Sequence, residues 1–146
     1  MTDIKASSER SLNMSRIKGK DTMPELIVRH FLHSKGIRYR IHDKEIPGHP
    51  DIAIKKYRCA VFINGCFWHR HTGCKYAFVP KTNVDFWNDK FEKNRDRDRK
   101  INNYLTDQKW KVFTVWECEL KHDRDKTLER LYVTIIEHIR NFRQYM

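Results

Sequence analysis

Four side chains that bind soft metals sit where they would tie two distant parts of the chain together. Cys66-x-x-x-x-His71-x-x-Cys74 falls within one loop, and Cys118 follows a later apolar stretch. Thiolate and imidazole are the donors tetrahedral zinc prefers, and three Cys with one His make a closed structural site. A fold that uses them must carry the loop to the end of the later strand and pin it to a sheet edge. His69 competes with His71 for the fourth position, and spacing alone does not separate them. Cys59 lies inside a strand-like stretch and reads as a small buried hydrophobe. Disulfides are the other use of four cysteines. The opening residues, Met1-Thr2-Asp3-Ile4-Lys5, lack the apolar run of a secretory signal, so a metal is expected and disulfides are not.

The elements around this tie follow from periodicity. Residues 8–19 read as a short basic helix ending at Gly19. The next helix starts near Asp21 or Thr22. Thr22-x-x-Glu25 has the form of a capping box, Pro24 suits a first turn, and Gly36 ends the element. Leu26, Ile27, His30 and Phe31 give it one face. Alternation over residues 37–42 predicts a half-buried strand. After the turn Pro47-Gly48-His49-Pro50, residues 51–54 and 58–64 read as paired strands. Residues 65–82 are irregular. A long helix then runs from about Val84 to Leu105, followed by a buried strand over 110–116. The last helix, about 126–142, buries Leu128, Leu131, Ile135 and Ile139. This order predicts an α/β fold with a central mixed sheet flanked by helices. A single domain over residues 1–146, with 1–20 as a basic N-terminal arm, suits the length.

Charge restricts the partner. Thirty Lys and Arg against 19 Asp and Glu leave a formal charge of +11, which favours a polyanion, nucleic acid above all. Eight Phe, six Tyr and four Trp accompany it, and bases offer those rings stacking surfaces. No apolar run approaches the roughly 18 residues of a bilayer span, so no membrane partner is expected and the cytoplasm is the expected location.

Two features suggest hydrolysis of that polyanion. Pro50-Asp51 opens a strand and Phe62-Ile63-Asn64 lies on the next, an arrangement that resembles a nuclease superfamily with a P-D then (D/E)-x-K motif. The second carboxylate and the Lys are missing. On the long helix, Trp87, Phe91, Asn94, Asp98, Ile101 and Leu105 share one face. Two polar groups on a core-like face need partners, because burial without them costs about 1–3 kcal/mol each. A hydrated cation or a phosphate would supply such partners, as would a structural hydrogen bond. Asp51 is a natural anionic ligand for Mg²⁺, with a backbone carbonyl such as that of Ile63 as a second ligand. His69 is a candidate general base.

Several longer motifs carry a closer likeness. They are Arg10-Ser-x-Asn-Met14, Pro47-Gly48-x-Pro50-Asp51 and Gly65-Cys66-Phe67-Trp68-His69. Phe86-Trp87, Lys93-Asn94-x-x-Arg97-Asp98 and Val115-Trp116-Glu117-Cys118 continue the series. In them the chain resembles the very short patch repair endonucleases, which nick DNA at T·G mismatches. The likeness covers roughly residues 9 to 120. It implies a restriction-endonuclease-like fold with a structural zinc site and a strand-specific nickase acting on double-stranded DNA as a monomer, alongside mismatch-repair proteins.

The same likeness implies roles for individual residues. Asp51 and the carbonyl of Ile63 would hold catalytic Mg²⁺, while Glu25, Asn64 and Asp98 would hydrogen-bond its waters. His69 would act near the scissile phosphate. Cys66, His71, Cys74 and Cys118 would bind structural Zn²⁺. Phe67, Trp68 and Trp87 would wedge beside the mismatch, with Asn94 also on the DNA side and Met14 inserting from the opposite groove. The chain departs from the pattern twice. Ile63-Asn64 stands where the family usually has Thr-His, and a carbonyl ligand is indifferent to that change, whereas Asn64 can orient water but not carry a proton. The loop His71-Thr72-Gly73-Cys74 is one residue longer. Two other readings compete: a restriction- or homing-type nuclease of the same fold, and a non-catalytic zinc-containing DNA-binding protein in which Asp51 is only a turn residue.

Overall fold

The computed structural model describes residues 22–144. The expected basic helix over residues 8–19, with Met14, lies outside the described residues.

Helix α1, Met23–Ser34, begins as its sequence predicts. The Thr22 hydroxyl accepts from the Glu25 N–H at 3.5 Å, Pro24 sits in the first turn, and Gly36 follows the last turn at φ +77°. The buried stripe is not the one expected, however. Glu25, Val28 and Leu32 face inward with Ile27 and Phe31 beside them, and His30 is exposed. The reason is the sheet surface beneath, which takes Val28 and Leu32 into one apolar cluster. That rotation puts an acidic side chain on the buried face.

Among the described residues the sheet has three strands, in the order β1 (Ile52–Ile54), β2 (Cys59–Asn64) and β3 (Lys111–Trp116). β1 pairs antiparallel with β2 through a short turn at Lys55–Tyr57, and β2 pairs parallel with β3. The connection from β2 to β3 carries the irregular loop and helix α2, Val84–Asp107. The sheet is therefore mixed, as expected. The strand expected over 37–42 is not formed. Only Arg40 pairs, in an isolated antiparallel bridge with Ala53. His42 takes a left-handed conformation at φ +48°, which no extended strand can continue through.

Helices cover both faces. On one, α1 and α4 (Arg124–Gln144) pack Val28, Leu32, Leu128, Leu131 and Ile135 against Ile52, Ile54, Val61, Ile63 and Val115. On the other, Leu105 of α2, with Ile101, meets Ala53, Ala60, Phe62 and Val112. The alternating side chains of β2 thus serve two cores, as the period of a strand dictates. Cys59 is fully buried in the first core, and burial pushes its thiol pKa up to about 12. A short helix α3, Glu117–His122, separates β3 from α4. Cys118 therefore lies in the first turn of a helix and not at the end of the strand.

The turn before β1 is fitted to α2. Gly48 has φ +83°, and a Cβ there would come within 2.5 Å of the Ile101 side chain. Gly48→Ala should therefore destabilise the fold by about 1–3 kcal/mol, through backbone strain and the contact together. Denaturant unfolding checks this, and wild-type stability in the variant would contradict it.

Candidate active site

Asp51 is placed by backbone logic. Ala53 exchanges both its hydrogen bonds with Arg40, at 2.8 Å each, so its neighbours Ile52 and Ile54 turn their peptide groups toward β2. On β2 the residues that answer are Val61 and Cys59, and Ile63 points to the same edge. β1 has ended by then, and the Asp51 carboxylate takes the strand's place: the Ile63 N–H donates to Asp51 Oδ2 at 2.6 Å. A residue in a strand sends its N–H and C=O out on the same side, so the carbonyl of Ile63 opens on the edge that holds Asp51.

The electrostatics around Asp51 are unusual. Burial pushes its pKa up from 3.8 to about 7. The hydrogen bond from Ile63 opposes that rise, the charge of Glu25 adds to it, and His69 and Arg29 oppose it. Such a carboxylate favours either a proton or a nearby cation.

Glu25 and two residues that the sequence did not mark complete this corner. Arg29 Nη2 is 2.8 Å from Glu25 Oε2 and 2.9 Å from His42 Nε2. His42 Nε2 is also 3.2 Å from Glu25 Oε2, and its Nδ1 is 3.9 Å from Asp51 Oδ1. Glu25, His42 and Asp51 each offer a ligand atom, all within 4.8 Å of one another. The Glu25 carboxylate serves this group, while its N–H meets the Thr22 cap. Arg29 had a weak signal in its i,i+4 spacing from Glu25. His42 had none beyond closing the stretch read as a strand.

The polar pair on α2 finds partners across the cleft. His69 Nδ1 lies 2.6 Å from Asp98 Oδ2, and Asn94 Nδ2 donates to the Trp68 carbonyl at 3.2 Å. The inward face expected for α2 is present, with protein groups as its partners. Asn64 lines the same cleft as Asp51, His69 and Asp98. That cleft encloses about 1590 Å³, with Arg95, Arg97 and Arg99 along one side.

Aromatic rings form one wall. Phe67 lies 5.1 Å from Trp68, 5.6 Å from Trp87 and 5.2 Å from Phe91, and Trp68 lies 5.5 Å from Trp87. Phe78, which the sequence did not mark, and Phe86, from the Phe86-Trp87 motif, extend the cluster outward. They contact Phe67 and Trp87 and are 60% and 59% exposed. Phe67, Trp68 and Trp87 themselves are half-buried. Rings so placed are neither sealed core nor free surface. Arg70, also unmarked by the sequence, braces the loop beneath them. It donates to the carbonyls of Phe67, Ala77 and Phe78 and lies 3.9 Å from the centre of the Phe91 ring.

Cys66, His71, Cys74 and Cys118 come together, with one donor atom from each within 4.8 Å of the others. His71 Nδ1 faces both Cys118 Sγ, at 3.3 Å, and Cys66 Sγ, at 3.7 Å. The ring is held by stacking on Trp116, 4.1 Å away and 8° from parallel. All four cysteines are free. His69 points elsewhere, to Asp98, which separates the two histidines that spacing could not. The donor set, three sulfurs and one imidazole nitrogen, fits a tetrahedral ion. Among the described residues, no helix is long and apolar enough to cross a membrane.

Comparison with known proteins places the chain in a family. The family model described as "DNA mismatch endonuclease Vsr" matches residues 2–75. The Type II nicking enzyme V.NmeAIP of Neisseria meningitidis is 49% identical over 122 residues, covering 84% of this chain and 86% of its own. The Type II nicking enzyme V.XorIIP of Xanthomonas oryzae pv. oryzae is 43% identical, covering 82% and 88%. The DNA mismatch endonuclease Vsr of Escherichia coli is 38% identical over 139 residues, covering 95% and 88%. With half of the chain matched by that family model and 95% of it matched by that last protein, the chain belongs to the Vsr family of DNA mismatch endonucleases.

Proposed function

We propose that this protein nicks one strand of duplex DNA at a T·G mismatch, by Mg²⁺-dependent hydrolysis of the phosphodiester 5′ to the mispaired T. The observation that carries the reading is the convergence, in one cleft, of a half-buried Asp51 with the His69–Asp98 pair beneath an aromatic wall. The names of the relatives, nicking and mismatch endonucleases, favour it over the restriction-type and the non-catalytic readings. The fold we infer is restriction-endonuclease-like. It forms one domain with residues 1–20 as a DNA-binding arm that carries Met14, and it acts as a monomer beside other mismatch-repair proteins.

The donors at this edge suit Mg²⁺: Asp51 supplies a carboxylate and Ile63 a carbonyl, both hard oxygens. When bound there, the ion supplies Lewis acidity at the phosphate. The protein's own groups do the rest. Asp98 holds His69 in the tautomer with Nδ1–H, which leaves Nε2 basic. His69 Nε2 takes a proton from the attacking water as its oxygen bonds to phosphorus. The P–O3′ bond breaks and O3′ takes a proton from a solvent water, leaving a 3′ hydroxyl upstream and a 5′ phosphate on the T. Glu25 and Asn64 orient water. Asn94 fixes the backbone of Trp68 and so shapes the DNA-facing wall. Cys66, His71, Cys74 and Cys118 hold structural Zn²⁺, which anchors Phe67 and Trp68 between two ligands.

The wedge of Phe67, Trp68 and Trp87 would give the selectivity. Unstacking a base step costs a few kcal/mol, and least at a mispair, while each aromatic contact returns about 1–3 kcal/mol. The test is cleavage of T·G against T·A duplexes by Trp68→Ala and Trp87→Ala. Discrimination should fall by about tenfold to a hundredfold in each, with zinc content and unfolding temperature near wild type. Unchanged discrimination in both variants would overturn the wedge. Double-strand cleavage of matched duplex by wild type would overturn the mismatch reading.

A further inference from the structure

His42 owes its place to a backbone clip. The chain leaves the sheet edge at Arg40 and returns at Pro50, and the His42 N–H donates to the Pro50 carbonyl at 3.1 Å. That bond holds His42 directly beside Asp51. The left-handed backbone at His42 is one that His adopts more readily than most residues. The ring is then enclosed, its side chain 15% exposed, between Glu25 and Asp51.

The two ring nitrogens meet different chemistry. Nε2 lies 3.2 Å from Glu25 Oε2, within hydrogen-bond range. Nδ1 lies 3.9 Å from Asp51 Oδ1, too far for a hydrogen bond. Two donors of one ion, each at about 2.1 Å, lie roughly 3 Å apart at a right angle and about 4.2 Å apart when opposed. The spacing of Nδ1 and Oδ1 fits that range. The Nε2 side fits the arrangement in which a metal-bound histidine donates its other N–H to a carboxylate. Arg29 Nη2, at 2.9 Å from Nε2, favours the opposite tautomer, in which Nε2 accepts. A cation shared with Asp51 selects Nε2–H and leaves Arg29 its bond to Glu25 at 2.8 Å.

We propose that His42 is a nitrogen ligand, through Nδ1, of the divalent ion held by Asp51, and that Glu25 orients it through Nε2. This rests on the reading of Asp51 as a metal ligand. An imidazole donor shifts preference away from Mg²⁺, a hard ion that favours oxygen, and toward transition ions such as Mn²⁺ and Co²⁺.

The experiment uses the zinc-loaded protein with Mn²⁺ as the probe, read by pulsed electron paramagnetic resonance. Wild type should show nitrogen hyperfine coupling to bound Mn²⁺. His42→Gln should lose that coupling and bind Mn²⁺ more weakly, by on the order of tenfold, while the ratio of Co²⁺ to Mg²⁺ affinity falls. His42→Asn repeats the measurement with a residue that tolerates the left-handed backbone, should the Gln variant not fold. Mn²⁺ binding that is lost in Asp51→Asn, but whose spectrum has no nitrogen coupling or keeps it in both His42 variants, overturns the role of His42 alone. Mn²⁺ binding that Asp51→Asn leaves unchanged overturns the Asp51 reading and the role of His42 with it.

Discussion

Asp51→Asn should reduce strand cleavage by on the order of a thousandfold or more and leave duplex binding near wild type. The amide keeps the size of the carboxylate and much of its hydrogen bonding, but carries no charge to hold a cation at the edge opened by Ile63. Binding draws on the basic surface of a +11 chain, which the change does not touch. The pH dependence should follow the same group. With its pKa at about 7, Asp51 is protonated below that value and metal-competent above it. Cleavage at limiting Mg²⁺ should therefore fall as pH drops below about 7. Without metal the stability trend has the opposite sign. The folded state holds this proton more tightly than the unfolded chain, whose value is near 3.8. Stability from this group is complete below about 4 and is lost as pH rises through about 7. Single-turnover cleavage, filter binding and unfolding curves measure the three effects. Cleavage by Asp51→Asn within tenfold of wild type would remove Asp51 from the chemistry.

Removing the zinc ligands should be the most damaging change to the fold. Metal analysis should give one zinc per chain, and Cys118→Ser or a strong chelator should lower the unfolding temperature by about 10 °C or more. A structural zinc contributes several kcal/mol of folding free energy, and for a chain of this size each kcal/mol shifts the midpoint by roughly 2–4 °C. The reason for a large effect is topological. Cys66, His71 and Cys74 belong to a loop with little regular structure, and Cys118 belongs to helix α3. Without a shared ion, the stack of His71 on Trp116, the Arg70 bonds and the His69–Asp98 and Trp68–Asn94 contacts to α2 hold that loop. Phe67 and Trp68 stand between two ligands, so discrimination between T·G and T·A duplexes should fall along with stability. Purified, folded protein without zinc, with Cys118→Ser unfolding at the wild-type temperature, would contradict the assignment.

The sequence by itself determined whatever depends on neighbours within a few residues. Thr22 and Pro24 start α1, the spacing of Phe91, Asn94, Asp98, Ile101 and Leu105 defines the inner face of α2, and the Cys/His spacing keeps three donors in one loop. Each is encoded by a local period or a local hydrogen bond, and each survives in the fold. Only the tertiary structure decided what depends on how the chain returns to itself. Residues 37–42 alternate like a strand, yet one bridge forms, because the left-handed turn at His42 diverts the chain toward Pro50. That diversion seats His42 between Glu25 and Asp51, and the sheet beneath α1 rotates Glu25 and Val28 inward in place of His30. Asp98 was legible as an inward polar residue, but its partner His69 was not, since a loop and most of a helix separate them. Side-chain periods report which face of an element is buried. Which charged groups then meet across the cleft is set by backbone direction and packing, and those are fixed by the whole fold at once.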